Sequence, residues 1–179
     1  AAMLVSSSNE AAVALQRVSG LDETAFVGEM NALARELGLT QARFRDPAGL
    51  DSGNVASATD VSRLAIAAFA QPEIGAAARS ETYELRLLPS GRTRTIRSTA
   101  RHFGTFLADP GQGYGIAGVK TGYLDEAGYN LTAEVAKGGH PVVVTVLGSA
   151  SSELRWQELK GLAVWTYQNF EWPRSVTRR

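Results

Sequence analysis

The hydrophobic period of the chain changes once, near Thr82, and that change limits the possible folds more than any other feature. Up to about Ala78 apolar residues recur at three- and four-residue steps, the repeat that gathers them on one side of an α-helix. Ser8 or Asn9 can cap a helix running through Val18, with Gly20 just past its end. Asp22 can cap the next, where Phe26, Met30, Leu33 and Leu37 recur along one face and Gly38 ends it. Ser57 and Asp60 have capping-box spacing before Val61, Leu64, Ala65 and Ala68. Asp46-Pro47-Ala48-Gly49-Leu50-Asp51-Ser52-Gly53, between them, reads as a loop.

Beyond Thr82 the pattern is that of strands. Thr82 to Leu88 and Thr93 to Ser98 flank Pro89-Ser90-Gly91 as a hairpin. A glycine-rich stretch, Gly111 to Gly118, leads into a short strand around Val119 and a longer one from Tyr129 to Val135. Gly138-Gly139 then turns the chain into Pro141 to Leu147, an apolar, β-branched run typical of a buried strand. A last helix, Glu153 to Phe170, places Leu159, Leu162, Ala163 and Tyr167 on one face. The sum is an α+β fold: an antiparallel sheet flanked by helices, plus a mainly helical lobe from Asn9 to roughly Ala78. With 179 residues there is material for one core. Residues 1–172 are read as one domain and 173–179, with Arg174, Arg178 and Arg179, as a solvated tail.

Several functions are excluded by composition. Lysine plus arginine, 18 in all, balance 18 aspartates and glutamates, so nothing pulls the chain toward nucleic acid or anionic lipid in general. There are no cysteines, hence no thiolate chemistry, disulfides or cysteine-ligated metal. His102 and His140 are the only histidines and neither has a second at ligand spacing, so no metal site is expected, and both read as surface or satisfied residues. No apolar run is long enough to span a bilayer. Gly113-Tyr114-Gly115-Ile116-Ala117-Gly118 matches the letters of a dinucleotide motif, but a strand follows it where phosphate binding needs a helix N-terminus. Gly118-Val119-Lys120-Thr121 misses a P-loop by the valine. Asn130-Leu131-Thr132 has glycosylation spacing inside a predicted strand. Asp46 and Asp60 are explained by turn and cap chemistry, Asp125-Glu126 by a solvated loop, and Trp156, Trp165 and Trp172 by the core and rim of the last helix.

Chemistry points elsewhere. Lys120-Thr121-Gly122 puts a cation and a hydroxyl on a strand, as a carboxylate would need, and its glycine lets a second backbone lie close. Taken alone it is equally an edge strand with a solubilising lysine, and Ser7-Ser8-Asn9 is equally a helix cap. The two motifs together, with their flanks and in this order, are more specific. Met3 to Leu15 around Ser7-x-Asn9, Met30-Asn31-x-Leu33-Ala34-x-x-Leu37-Gly38-Leu39, Phe44-x-Asp46-Pro47-x-Gly49-Leu50, Ala58 to Ala65, and Gly118-Val119-Lys120-Thr121-Gly122 followed by Ala127-Gly128-Tyr129-Asn130-Leu131 resemble the serine D-alanyl-D-alanine carboxypeptidases, a family of penicillin-binding enzymes. The likeness runs from Met3 to about Phe170.

The resemblance implies a β-lactamase/transpeptidase-like fold that is incomplete at its N-terminus, and a role for each matching residue. Ser7 would shuttle a proton, Asn9 would donate to the substrate amide, and Lys120 would hold Ser7 in its working state and attract the substrate carboxylate. Thr121 would bond that carboxylate, Gly122 would admit the substrate backbone, and the backbone N–H of Tyr123 would form half of an oxyanion hole. Tyr123 departs from the histidine or threonine expected there. Arg155 matches, more loosely, an arginine near the carboxylate. The implied partners are peptidoglycan stem peptides ending in D-Ala-D-Ala and β-lactam antibiotics, the implied location is outside the cytoplasmic membrane, and no cofactor is implied.

One part of the pattern is absent. The family's nucleophile and base lie in Ser-x-x-Lys, but Lys120, Lys137 and Lys160 are the only lysines, and Ala117, Glu134 and Gln157 stand three residues before them. The expectation is that these residues come from a longer enzyme, whose N-terminal segment supplies the motif and the first strands of the sheet. The alternative is a nucleophile-free homologue that binds peptidoglycan or another carboxylate.

Overall fold

A computed structural model describes residues 1–88, 90–100 and 110–172; His102 and the basic tail fall outside them, as does Pro89 of the hairpin turn. In chain order the elements are α1 (Ala2–Val5), α2 (Asn9–Val18), α3 (Glu23–Glu36), α4 (Ala58–Phe69), α5 (Pro72–Ala78), β1 (Thr82–Arg86), β2 (Thr93–Arg97), β3 (Tyr114–Leu124), β4 (Gly128–Lys137), β5 (His140–Ser149) and α6 (Leu154–Asn169). The change of period near Thr82 is therefore a change of structure, and the fold is α+β.

Local chemistry sets the helix ends. Ser8 Oγ accepts the Ala11 N–H at 3.1 Å, Asp22 Oδ1 the Ala25 N–H at 2.8 Å and Ser57 Oγ the Asp60 N–H at 3.1 Å, each satisfying a donor that its helix leaves free. At the end of α3, Gly38 takes φ +70°, and the Gly38 and Leu39 amides return to the carbonyls of Arg35 and Ala34, a Schellman closure. The box at Ser57 is only half formed. The Asp60 carboxylate, 2 % exposed, turns away from its own helix and accepts the Gln41 N–H at 2.8 Å, tying the segment after α3 to α4.

Two antiparallel sheets form, a hairpin of β1 and β2 and a three-stranded sheet in the order β3-β4-β5. Strand β3 is not the short strand expected around Val119 but spans eleven residues, beginning inside the glycine-rich stretch. Glycines hide its alternation, and the register slips between Ile116 and Gly118. Gly118 is there for packing: a Cβ on it would stand 2.9 Å from the Phe69 ring of α4.

The pleat assigns the two faces of the larger sheet. Leu131, Ala133 and Val135 of β4, with Val119 of β3 and Val144 and Val146 of β5, form one apolar layer with Leu159 and Ala163 of α6. The other face meets α4, where Ser62 Oγ, Thr145 Oγ1 and Thr132 Oγ1 form a chain at 2.7 and 3.0 Å. Two expected core residues turn outward. Leu162 is 45 % exposed because it lies roughly 100° around α6 from the stripe of Trp156, Leu159, Ala163 and Tyr167, at about 100° per residue. Leu33 is 52 % exposed for the same reason, and Ala34 fills the buried position on α3. His140, just past the Gly138-Gly139 turn, begins β5 and is partly buried, with its ring stacked 5.2 Å from that of Trp172.

Candidate functional site

The link from α1 to α2 is three residues long, and its middle residue is bent sharply. Ser7 adopts φ +52°, the sole non-glycine residue with positive φ among those described. That conformation disfavours a residue with a Cβ and persists where surroundings enforce it. Its neighbour Ser8 is committed to the helix, capping α2 and donating to Glu10 at 2.9 Å. Ser7 and Asn9 flank that cap and line one cleft with Lys120 of β3.

Lys120 comes to meet them. By register it pairs with Thr132, so it and Gly122 project from the face opposite the α6 core, whereas Thr121 and Tyr123 project from the α6 face. The Lys120 amine donates to Ser7 Oγ, across 113 positions of sequence, and to the Thr121 carbonyl at 2.6 Å. Burial, followed by the positive charge of Arg155, lowers the Lys120 ammonium from the ordinary lysine range to about 8. It is still mainly a cation at neutral pH, but one that gives up its proton readily.

The Thr121 hydroxyl is buried and lies 2.7 Å from Thr99 Oγ1, which in turn stands 3.3 Å from Ser7 Oγ. Thr99 had no signal in the sequence: it follows β2 in no motif, and its partners are 92 and 22 positions away. Gly122 leaves room on its face, since the nearest atom to a Cβ there would be Asn130 Cβ at 3.8 Å. The Tyr123 side chain is exposed, its ring 4.4 Å from that of Tyr129. Its hydroxyl donates to Asp125 Oδ1 at 2.6 Å, and that hydrogen bond with the Asp125 charge pushes the phenol up to about 12.

Arg155, in the first turn of α6, is buried behind the strand. It donates to the carbonyls of Gly122 and Asn130 and to Ser152 Oγ, each at 3.2 Å, so it clamps β3 to β4 beside the motif lysine. Burial pulls its own pKa down.

A cleft of about 330 Å³ brings Ser7, Asn9 and Lys120 together under Met30 and the Asp46–Gly49 loop. Asp46 builds that loop by accepting the Ala48, Gly49 and Leu50 amides at 3.2, 3.0 and 3.0 Å, together with the Asn54 carboxamide. Burial works against its charge, but these donors outweigh it and hold the carboxyl below its usual range. Among the described residues no three His, Asp or Glu side chains group to hold a metal ion, and no helix is long and apolar enough to cross a membrane. The arrangement offers a cation, adjacent hydroxyls and an open strand face, which suits a ligand with an extended backbone and a carboxylate end.

Known proteins share this arrangement of sequence and fold. Residues 1–151 match the D-alanyl-D-alanine carboxypeptidase family. The D-alanyl-D-alanine carboxypeptidase DacC of Escherichia coli is 28 % identical over 172 residues, 94 % of this chain and 40 % of that protein. Among solved structures, a D-alanyl-D-alanine carboxypeptidase from Mycobacterium tuberculosis superposes with a TM-score of 0.81 at 25 % identity, over 96 % of this chain and 63 % of that one. A cefotaxime-bound penicillin-binding protein from Listeria monocytogenes gives 0.76 at 30 % identity, over 93 % and 64 %. The chain thus spans about 40 % of the length of the curated relative.

Proposed function

We propose that this chain, which belongs to the D-alanyl-D-alanine carboxypeptidase family, supplies the substrate-binding and proton-relay side of an acyl-transfer site acting on peptidoglycan stem peptides that end in D-Ala-D-Ala. The observation that carries the proposal is the Lys120 amine held between Ser7 Oγ and the Thr121 carbonyl, beside a Gly122 whose face is open. None of the three lysines has a serine three residues before it, so the nucleophilic serine and its lysine are assigned to residues outside these 179.

In this mechanism the substrate lies as an extended strand along Gly122, with its terminal carboxylate drawn to Lys120 and the Thr121 hydroxyl and its amide bonded by Asn9. Arg155 contributes positive charge from behind β3. The nucleophilic serine forms a C–O bond to the penultimate D-alanine carbonyl, and the developing oxyanion is met by the Tyr123 N–H, a kind of donor worth about a hundred- to a thousand-fold in rate. As the C–N bond breaks, the proton lost by the nucleophile passes through Ser7 to the departing amine, and D-alanine leaves. Water then adds to the ester and the free serine returns. A β-lactam follows the same first step but keeps its leaving amine tethered, so its ester persists. Substrate of this kind lies outside the cytoplasmic membrane, and the enzyme would act there.

The test is covalent labelling of the natural full-length gene product by a fluorescent penicillin, followed by denaturing electrophoresis. A denaturation-resistant label that Lys120→Ala removes supports the proposal. Reversible muropeptide binding without any label would instead establish a carboxylate-binding module, the reading that the missing Ser-x-x-Lys favours.

A further inference from the structure

We propose that Thr99 is a positioning residue of this site, a hydroxyl bridge that couples carboxylate recognition at Thr121 to the proton-bearing hydroxyl of Ser7. The inference rests on the function proposed above and adds a residue that neither motif contains.

Three hydroxyls stand in a row, Ser7 Oγ to Thr99 Oγ1 at 3.3 Å and Thr99 Oγ1 to Thr121 Oγ1 at 2.7 Å. Each has one proton to donate, so Thr99 can donate to Ser7 or to Thr121 but not to both. With the site empty, Thr121 can donate to Thr99 and Thr99 to Ser7. When a carboxylate accepts the Thr121 hydrogen bond, Thr121 can no longer donate to Thr99; Thr99 turns its own proton to the Thr121 oxygen and no longer donates to Ser7. Ser7 is left accepting only from the Lys120 amine, with its second lone pair free to receive a proton from the nucleophile. The row therefore reports an occupied carboxylate position to the group that moves the proton. It is the longer contact, Ser7 to Thr99, that would be given up.

Thr99 is also placed firmly enough to do this. Its own N–H donates to the Val5 carbonyl at 3.0 Å, which ties it to α1 immediately before Ser7. Ala100, the next residue, is buried in the sheet core. One residue thus spans the joint between the segment that carries Ser7 and the strand that carries Lys120 and Thr121. The Val5 bond uses Thr99's backbone and survives any change of its side chain.

The experiment compares Thr99→Val, close in shape but without the hydroxyl, with Thr99→Ser, which restores it, in the full-length protein. Acylation is followed with a stem peptide ending in a free carboxylate and with the same peptide ending in a carboxamide. Thr99→Val frees Ser7 from Thr99 whatever occupies the site, so it is expected to narrow the kcat preference for carboxylate over carboxamide about tenfold, the scale of one lost hydrogen bond, with KM nearly unchanged. Thr99→Ser should restore that preference. Thr99→Ala serves as a second hydroxyl-free variant should the valine disturb packing. A wild-type preference in the hydroxyl-free variants would overturn the inference, as would equal losses in the valine and serine variants, which would mark a packing role. A wild-type protein that acylates with neither peptide nor penicillin would overturn the function itself and Thr99's part with it.

Discussion

Gly122→Ala separates what this strand does for the fold from what it does for a ligand. A methyl group at Gly122 finds Asn130 Cβ at 3.8 Å as its nearest neighbour, an ordinary contact, so nothing within the protein resists it. Glycine inside a strand costs roughly 0.5–1 kcal/mol relative to alanine, so the substitution should stabilise by that much. The melting temperature should rise by about 1–4 °C on the scale of a chain of this size, and by less in a longer full-length protein. The same methyl occupies the open face beside Lys120, where an extended substrate would lie. Displacing the reacting carbonyl by roughly an ångström costs on the order of a hundredfold in rate. Thermal melts and penicillin acylation rates of the full-length wild type and Gly122→Ala measure the two effects side by side. A variant at least as stable that acylates within about threefold of wild type would show that no substrate backbone lies against Gly122. A fall in melting temperature would refute the packing half of the reasoning.

The lysine makes a prediction about pH. Since the Lys120 pKa is lowered to about 8, the folded protein binds fewer protons than the unfolded chain between there and the ordinary lysine value of 10.5. Stability from this group therefore rises with pH across that window, and urea melts should show the rise in wild type and not in Lys120→Met. Carboxylate binding should weaken as pH climbs through about 8, and Lys120→Arg should hold it to higher pH. Arg155→Met, which removes the second cause of the shift, should move that weakening to higher pH, as pH profiles of kcat/KM would show. Gly118→Ala should destabilise by about 1–3 kcal/mol because its Cβ would stand 2.9 Å from the Phe69 ring, with partial recovery in Phe69→Leu, both read from denaturant melts.

Much of the fold and of the candidate site is legible in the sequence. Ser8, Asp22 and Ser57 cap helices from the positions their spacing gives them, because a cap acts over three residues. The hairpin of β1 and β2 follows from two β-rich runs around a turn. Ser7 and Lys120 were singled out by motifs, and the structure joins them directly. The glycines were the first obstacle. Gly115 and Gly118 break the alternation that would have revealed the length of β3, since a residue without a side chain carries no pattern.

Order along the chain and short-range chemistry thus determined the helices, the strand-rich half and the motif residues. Tertiary structure decided the rest, because each remaining feature depends on a partner distant in sequence. The Asp60 carboxylate serves the Gln41 amide rather than its own helix, since a donor nineteen residues away reaches it. Leu33 and Leu162 face outward because the helix faces are chosen by what they pack on. Arg155 reaches the Gly122 and Asn130 carbonyls from behind the sheet, and Ser7 is held in a left-handed bend where its hydroxyl meets Lys120. Thr99 shows the limit most clearly. A threonine after a strand has no pattern of its own, and only folding brings Ser7 and Thr121 to its hydroxyl.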